Sequence, residues 1–192
     1  MNGFQRRREK KMKSILMAAL DLFLARGIKN VSTVEIAKKA EVSQASIYNF
    51  FQSKENLVRE TLFAYIDEGV KESEKILESE LPFREKVEKL LFMTDEATRQ
   101  TSPELFQSAV SIDPLIRDLL VEYSKKKTEP FVLRLVEQGR REGFINNNYS
   151  KEAILLFIGS FRSLLTQPNV TKETRIDLNS LFFYGLTGNP KM

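Results

Sequence analysis

The sequence predicts an all-α protein of about nine helices, and three observations carry that expectation. Apolar residues recur at spacings of three and four, the period of a helix with one buried face. Glycine and proline fall between these periodic stretches, where helices begin and end. No stretch alternates apolar and polar residues as a half-buried strand would.

The first helix is expected over about residues 9–26, with Ile15, Leu16, Ala19, Leu22 and Phe23 as its buried stripe. Gly27 stands where a helix C-terminal glycine belongs. STVE (32–35) reads as a capping box in which Ser32 caps and Glu35 reaches back. It opens a short helix, TVEIAKKA, expected to bury Val34, Ile36 and Ala37. A tight turn at Glu41–Val42 leads to Ser43, the cap of a third helix, ASIYNFF. Ser53 caps a long fourth helix running from Lys54 to about Ser79, with Leu57, Thr61, Leu62, Tyr65 and Ile66 facing inward.

Pro82, Pro103 and Pro114 suit first helical turns, and Ser102 and Asp113 precede two of them as caps. Helices are expected at about 82–100, 103–109 and 114–141, the last kinked or interrupted at Pro130 and ended by Gly143. Ser150 caps the eighth, KEAILLFIGSFRSLLTQ, and Pro168 and Asn169 break the chain before a ninth at about 172–187, ended by Gly188.

Composition narrows the function. The chain of 192 residues contains no Cys and no His. Disulfides, thiolate nucleophiles and thiolate metal sites are therefore impossible, and the commonest general base and metal ligand is missing. No catalytic or metal-binding residue and no cofactor is assigned. An all-α enzyme would have to rely on carboxylates, Lys, Tyr or Ser, and spacings such as Glu68–Glu72 are common on solvated helix faces. The N-terminus is polar, and the longest apolar run, 153–161, stops at Arg162. That is short of the roughly 20 residues a spanning helix needs. A cytoplasmic protein with no membrane partner is expected.

The net charge of +4 is unevenly spread. Residues 1–59 hold twelve Lys or Arg against five Asp or Glu, a balance of +7, while the remainder balances to −3. A basic third on a mildly acidic body suggests that the N-terminal part meets a polyanion. A solvated charged face is the plainer alternative.

Two short helices at 33–39 and 44–50, joined by a tight turn, have the size of a helix-turn-helix. Ala37 lies where the helices touch, Val42 plugs the turn and Ile47 packs back. The start of the second helix would then lie in a major groove, with Gln44, Ala45 and Ser46 facing base edges and phosphates. Gln44 can contact adenine through two hydrogen bonds, and the Ala45 methyl can touch a thymine methyl. The Ser43-capped helix start can hold a phosphate on its amides. Tyr48 and Lys54 can reach phosphates. Ile47, Phe50 and Phe51 turn inward to build the core that three short helices need.

Residues 15–58 resemble the DNA-binding domain of the TetR family of bacterial transcriptional regulators. The likeness rests on Ala19, Leu22-Phe23 and Gly27; on Ser32-Thr33, Ile36-Ala37, Ala40 and Val42; on Ser43, Ser46-Ile47-Tyr48 and Phe51; and on Ser53-Lys54-Glu55 with Leu57. By this resemblance Thr33, Gln44, Ala45, Ser46, Tyr48, Asn49 and Lys54 fall on positions that touch DNA. The arm from Arg6 to Lys13, with Arg7 and Arg8, would add phosphate or minor-groove contacts. Glu41 departs from the pattern, which has Gly there; a left-handed Glu would cost on the order of 1 kcal/mol.

The resemblance implies a helix-turn-helix domain over 1–53 and a helical effector-binding and dimerisation domain over 54–192. The expected partners are a palindromic DNA operator, a second copy of the chain, and an apolar or amphipathic small-molecule effector that releases DNA. A repressor is the expected mode; a DNA-binding or adaptor protein without an effector is the alternative. Ile154, Phe157, Phe161 and Leu165 in the eighth helix, with Leu181, Phe182 and Leu186 in the ninth, spread over more than one helix face and are the expected dimer interface. Burial within their own chain is the other explanation. Phe63, Phe92, Met93, Phe106, Tyr123 and Phe131 are candidate pocket residues or plain core. Arg162, alone in an apolar helix, meets either an acid across the dimer or an anionic ligand.

Overall fold

The computed structural model describes the backbone of residues 3–100, 103–165, 167 and 170–187. Side chains are described over the same residues except 94–100, 103, 104, 106, 107, 162, 163, 172, 186 and 187. Every regular element among them is helical. In order they are α1 (Gly3–Arg26), a 3-10 turn (Ile28–Asn30), α2 (Thr33–Lys39), α3 (Gln44–Phe51), α4 (Lys54–Glu78), α5 (Phe83–Gln100) and α6 (Pro103–Ile112). α7 (Leu115–Tyr123), α8 (Glu129–Arg141), α9 (Lys151–Leu165) and α10 (Lys172–Thr187) follow. A π-helical turn, Ser124–Thr128, joins α7 to α8, so they form one helical run and the described residues hold nine such runs.

That π turn is the interruption expected at Pro130. Proline lacks an N–H and its ring crowds the carbonyl four residues back. One widened turn just before it relieves the crowding: the Glu129 N–H reaches five residues back, to the Ser124 carbonyl.

The chain packs as two compact units, Met1–Gly69 with Glu104–Leu120, and Val70–Pro103 with Val121–Met192. In the first, Ile15, Phe23, Ile28, Ile36, Ile47, Leu57, Val58 and Leu62 are almost wholly removed from water. Each contributes about 1.5–3 kcal/mol of apolar burial. Leu105, Ala109 and Ile116 of α6 and α7 join that core.

The caps form as the sequence leads one to expect. The Ser32 hydroxyl accepts from the Glu35 N–H at 3.3 Å while the Ser32 N–H donates to Glu35 Oε2 at 2.8 Å. Ser43 accepts from the Ser46 N–H at 3.2 Å, and Ser53 from the Asn56 N–H at 3.1 Å. Gly27 and Gly143 hold φ 75° and 77° at their helix ends.

Two expectations need correction. α1 begins at Gly3, not near residue 9, because Arg, Lys, Glu and Gln are good helix formers and prolong it ahead of its apolar stripe. Val34 is not buried: it is 57% exposed. Thr33, Ile36 and Ala37 take the inner face, and Val34 lies about 100° round the helix from Thr33.

In the second unit, Leu77, Phe83, Val87, Phe131, Val132, Val136, Ile145, Ile154, Phe161, Leu165 and Phe182 form the core. α9 and α10 meet through Phe161 and Phe182, whose ring centroids are 4.3 Å apart. The buried Lys86 Nζ donates to the Leu77 carbonyl at 2.7 Å, placing a cation on the negative end of α4.

Candidate nucleic-acid interface

α2 and α3 meet at the angle their tight turn allows. The turn is closed by the Val42 N–H donating to the Ala37 carbonyl at 3.0 Å, with Glu41 at φ 55°. Val42 packs on the core, Ile47 and Phe51 are buried, and Phe50 lies half-buried beside Phe51. The inward side of α3 is therefore apolar. Its outward side carries Gln44, Ala45, Tyr48 and Asn49, all exposed.

The small polar residues at the start of α3 are organised among themselves. Ser43 Oγ and Ser46 Oγ lie 2.9 Å apart, and the same Ser43 oxygen caps the helix. Gln44 Nε2 donates to Thr33 Oγ1 at 2.9 Å. Thr33 is only 7% exposed, so the first residues of α2 and α3 are joined by a hydrogen bond from an exposed amide to a nearly buried hydroxyl. Tyr48 is 45% exposed, and Lys54 lies half-buried at the first turn of α4.

Cations surround this surface. Arg7 is exposed, and the Arg8 guanidinium sits 5.4 Å from the centre of the Phe50 ring, which draws the arm onto α3. Sequence reasoning missed that contact, although a basic arm with an aromatic-rich helix hinted at it. Arg26 Nη2 donates to Glu35 Oε1 at 2.7 Å, tying the end of α1 to the start of α2. The Ser32 backbone N–H, the Ser32 hydroxyl and Arg26 together hold the Glu35 carboxyl down at about 2. Further along α4, Arg59 Nε donates to Asp113 Oδ2 at 3.1 Å, and the Arg59 hydrogen bonds pull that carboxyl below its usual range. Asp113 also accepts from the Leu115 N–H at 3.1 Å.

A family model for "Bacterial regulatory proteins, tetR family" matches residues 15–61, the segment that builds this surface. Residues 15–61 thus match the TetR-family DNA-binding domain, and the relatives support a TetR-family transcriptional regulator. It is 26% identical over 185 residues to the uncharacterized HTH-type transcriptional regulator YhgD of Bacillus subtilis, covering 92% of this chain and 97% of that one. It is 25% identical over 147 residues to the HTH-type transcriptional repressor KstR2 of Mycolicibacterium smegmatis, covering 75% and 72%. The fold matches a transcriptional regulator from Rhodococcus at a TM-score of 0.71 and 18% identity, covering 94% and 97%. It matches the fatty acid degradation regulator FadR of Bacillus halodurans at 0.67 and 19%, covering 93% and 97%. TetR-family regulators are DNA-binding proteins and not enzymes.

Elsewhere in the chain the sequence candidates scatter. Phe92, 65% exposed, and Met93 line a shallow groove of about 480 Å³ with Ile76, Glu85, Glu88 and Lys89. Phe131 is spent on the core of the second unit; Phe63 and Tyr123 are half-buried on α4 and α7. The side chains of Phe106, Arg162 and Leu186 lie outside the described residues. Among the interface candidates, Ile154, Phe161, Leu165 and Phe182 are buried within their own unit, while Phe157 and Leu181 are exposed. Leu156, Leu164, Ile176 and Tyr184 are also exposed on the same two helices. No described helix is long and apolar enough to cross a membrane.

Proposed function

We propose that this regulator binds a palindromic operator as a homodimer, acts as a repressor, and leaves DNA when an apolar or amphipathic effector binds. One observation carries the DNA contact: the exposed outward side of α3, Gln44, Ala45, Tyr48 and Asn49, stands beside a cationic arm held by Arg8 on Phe50. In this reading Gln44 and Ala45 meet base edges. Ser43, Ser46, Tyr48, Asn49, Lys54, Arg7 and Arg8 hold phosphates on either side. Thr33 supports Gln44 from beneath.

The second copy packs on the exposed apolar residues of α9 and α10. Phe157, Leu164, Leu181 and Tyr184 leave more apolar surface in water than a free chain usually keeps. One α3 makes too few contacts for specific binding, and two of them on a symmetric site are needed. The groove around Phe92 and Met93, apolar with Glu85, Glu88 and Lys89 at its rim, suits an amphipathic ligand. Repression is the mode named for the relative KstR2. Such a protein works in the cytoplasm.

Selection of bound duplexes from a random library, at 50 and 200 mM salt, tests the reading. A palindrome should be recovered, and affinity should fall by roughly 10³–10⁵ between the two salts if 6–10 phosphates are held. Tyr48→Ala and Lys54→Ala should weaken binding. No enrichment at either salt would remove operator binding from this chain. A thermal-shift screen that finds no stabilising amphipathic ligand would favour effector-independent binding instead.

A further inference from the structure

The hydrogen bond between Gln44 and Thr33 bears on which way an amide faces. A glutamine side chain has two N–H donors and one acceptor oxygen. Facing a base edge with its oxygen and one N–H, it matches adenine, whose N6 donates and N7 accepts. Facing it with both N–H groups, it matches guanine, whose O6 and N7 both accept. A free glutamine turns between these faces about its last torsion at little cost.

Gln44 is tethered. Its Nε2 is engaged at 2.9 Å by the hydroxyl oxygen of Thr33, a residue 7% exposed at the first turn of α2. One N–H is consumed there, leaving the other N–H and Oε1 on the outward side. Thr33 is in turn fixed by its place beside the Ser32–Glu35 capping box and among the buried residues of α2. In this arrangement the adenine-matching side of Gln44 faces outward before any DNA arrives. Building on the operator-binding reading above, we infer that Thr33 is the positioning residue that makes Gln44 select adenine over guanine at one base pair of each half-site. Its near-burial leaves it acting through Gln44.

The test compares duplexes selected by the wild type, Thr33→Val, Thr33→Ser and Gln44→Ala. Valine keeps the shape of threonine and removes the acceptor; serine keeps the acceptor. The wild type should show one symmetric pair of adenine positions that Gln44→Ala erases. At that position Thr33→Val should reduce the adenine-over-guanine preference from roughly tenfold toward parity, while Thr33→Ser retains it. Helical content by circular dichroism and melting temperature, compared across the four proteins, separate a change of base preference from a general loss of structure. If the wild type selects a palindrome and Thr33→Val keeps its adenine preference, the inference fails while the operator reading stands. If the wild type selects nothing, both fail together. Should Thr33→Val not fold, Gln44→Ala still decides: Gln44 is exposed, and an adenine preference unchanged in that variant overturns the inference.

Discussion

Glu41 holds φ at 55°, in the left-handed region that a residue with a Cβ enters at a cost. The turn between α2 and α3 demands it, because the Val42 N–H must swing back to the Ala37 carbonyl within two residues of the helix end. Glu41→Gly should therefore stabilise the protein by about 1 kcal/mol and raise its melting temperature by about 2–4 °C. DNA binding should not change. A lower melting temperature would show that the glutamate side chain contributes more than its backbone costs. Glu35 gives a second residue-scale prediction. Its carboxyl is held at about 2, well below the ordinary glutamate value of 4.5. A depressed carboxylate adds stability that is present in full above the unfolded value and is lost as pH falls through the folded one. Wild type should thus exceed Glu35→Gln in melting temperature at pH 6, with the gap closing from about pH 4.5 toward 2. A gap independent of pH would assign the capping box to shape and not to charge.

At the scale of elements, two glycines on helices should answer alanine with opposite signs. Gly139 on α8 faces α5 so closely that a Cβ would stand 2.5 Å from Phe83 Cζ and 2.8 Å from Ile145 Cδ1. Gly139→Ala should destabilise by about 1–3 kcal/mol as the core shifts to admit one methyl. Gly69, on α4, has no heavy atom within 4 Å of where a Cβ would go. Gly69→Ala should stabilise by about 0.5–1 kcal/mol through helix propensity alone. Chemical denaturation of the two variants checks both, and a stabilised Gly139→Ala would mean that α5 and α8 are less closely packed than described. Helix spans were largely legible because caps act locally: Ser32, Ser43, Ser53 and Ser150 each bond a backbone N–H three residues on. The start of α1 was not, since apolar periodicity marks where a helix is buried and is silent about how far its charged end continues.

For the whole molecule, the prediction concerns assembly. Leu181 is 66% exposed on α10 and makes no part of the core of its unit. Leu181→Glu should leave helical content unchanged, since Leu181 is exposed and outside the core of its own unit. It should convert dimers to monomers in sedimentation and weaken operator binding with them. Dimers that persist, or that were never present in the wild type, would move the second copy off this surface. Phe182 cannot serve for this test, because it is packed between Phe157 and Phe161 and its loss would damage the unit itself.

Taken alone, the sequence determined the helical class, the two short helices with their caps and turn, and the side of α3 that carries Gln44, Ala45, Tyr48 and Asn49. All of these depend on neighbours three or four residues apart, or on turns that glycine and serine mark locally. Tertiary structure decided the rest. Only packing brought Asp113 to Arg59, 54 residues away, and enrolled Leu105 and Ala109 in the core of α1 to α4. Only packing separated Ile154 and Phe161, which are buried, from Phe157 and Leu181, which are not. Periodicity shows that a helix is apolar on several sides, but which side meets its own chain depends on distant residues. The Gln44–Thr33 bond belongs with these, for its partners are 11 residues apart and meet only because two helices cross.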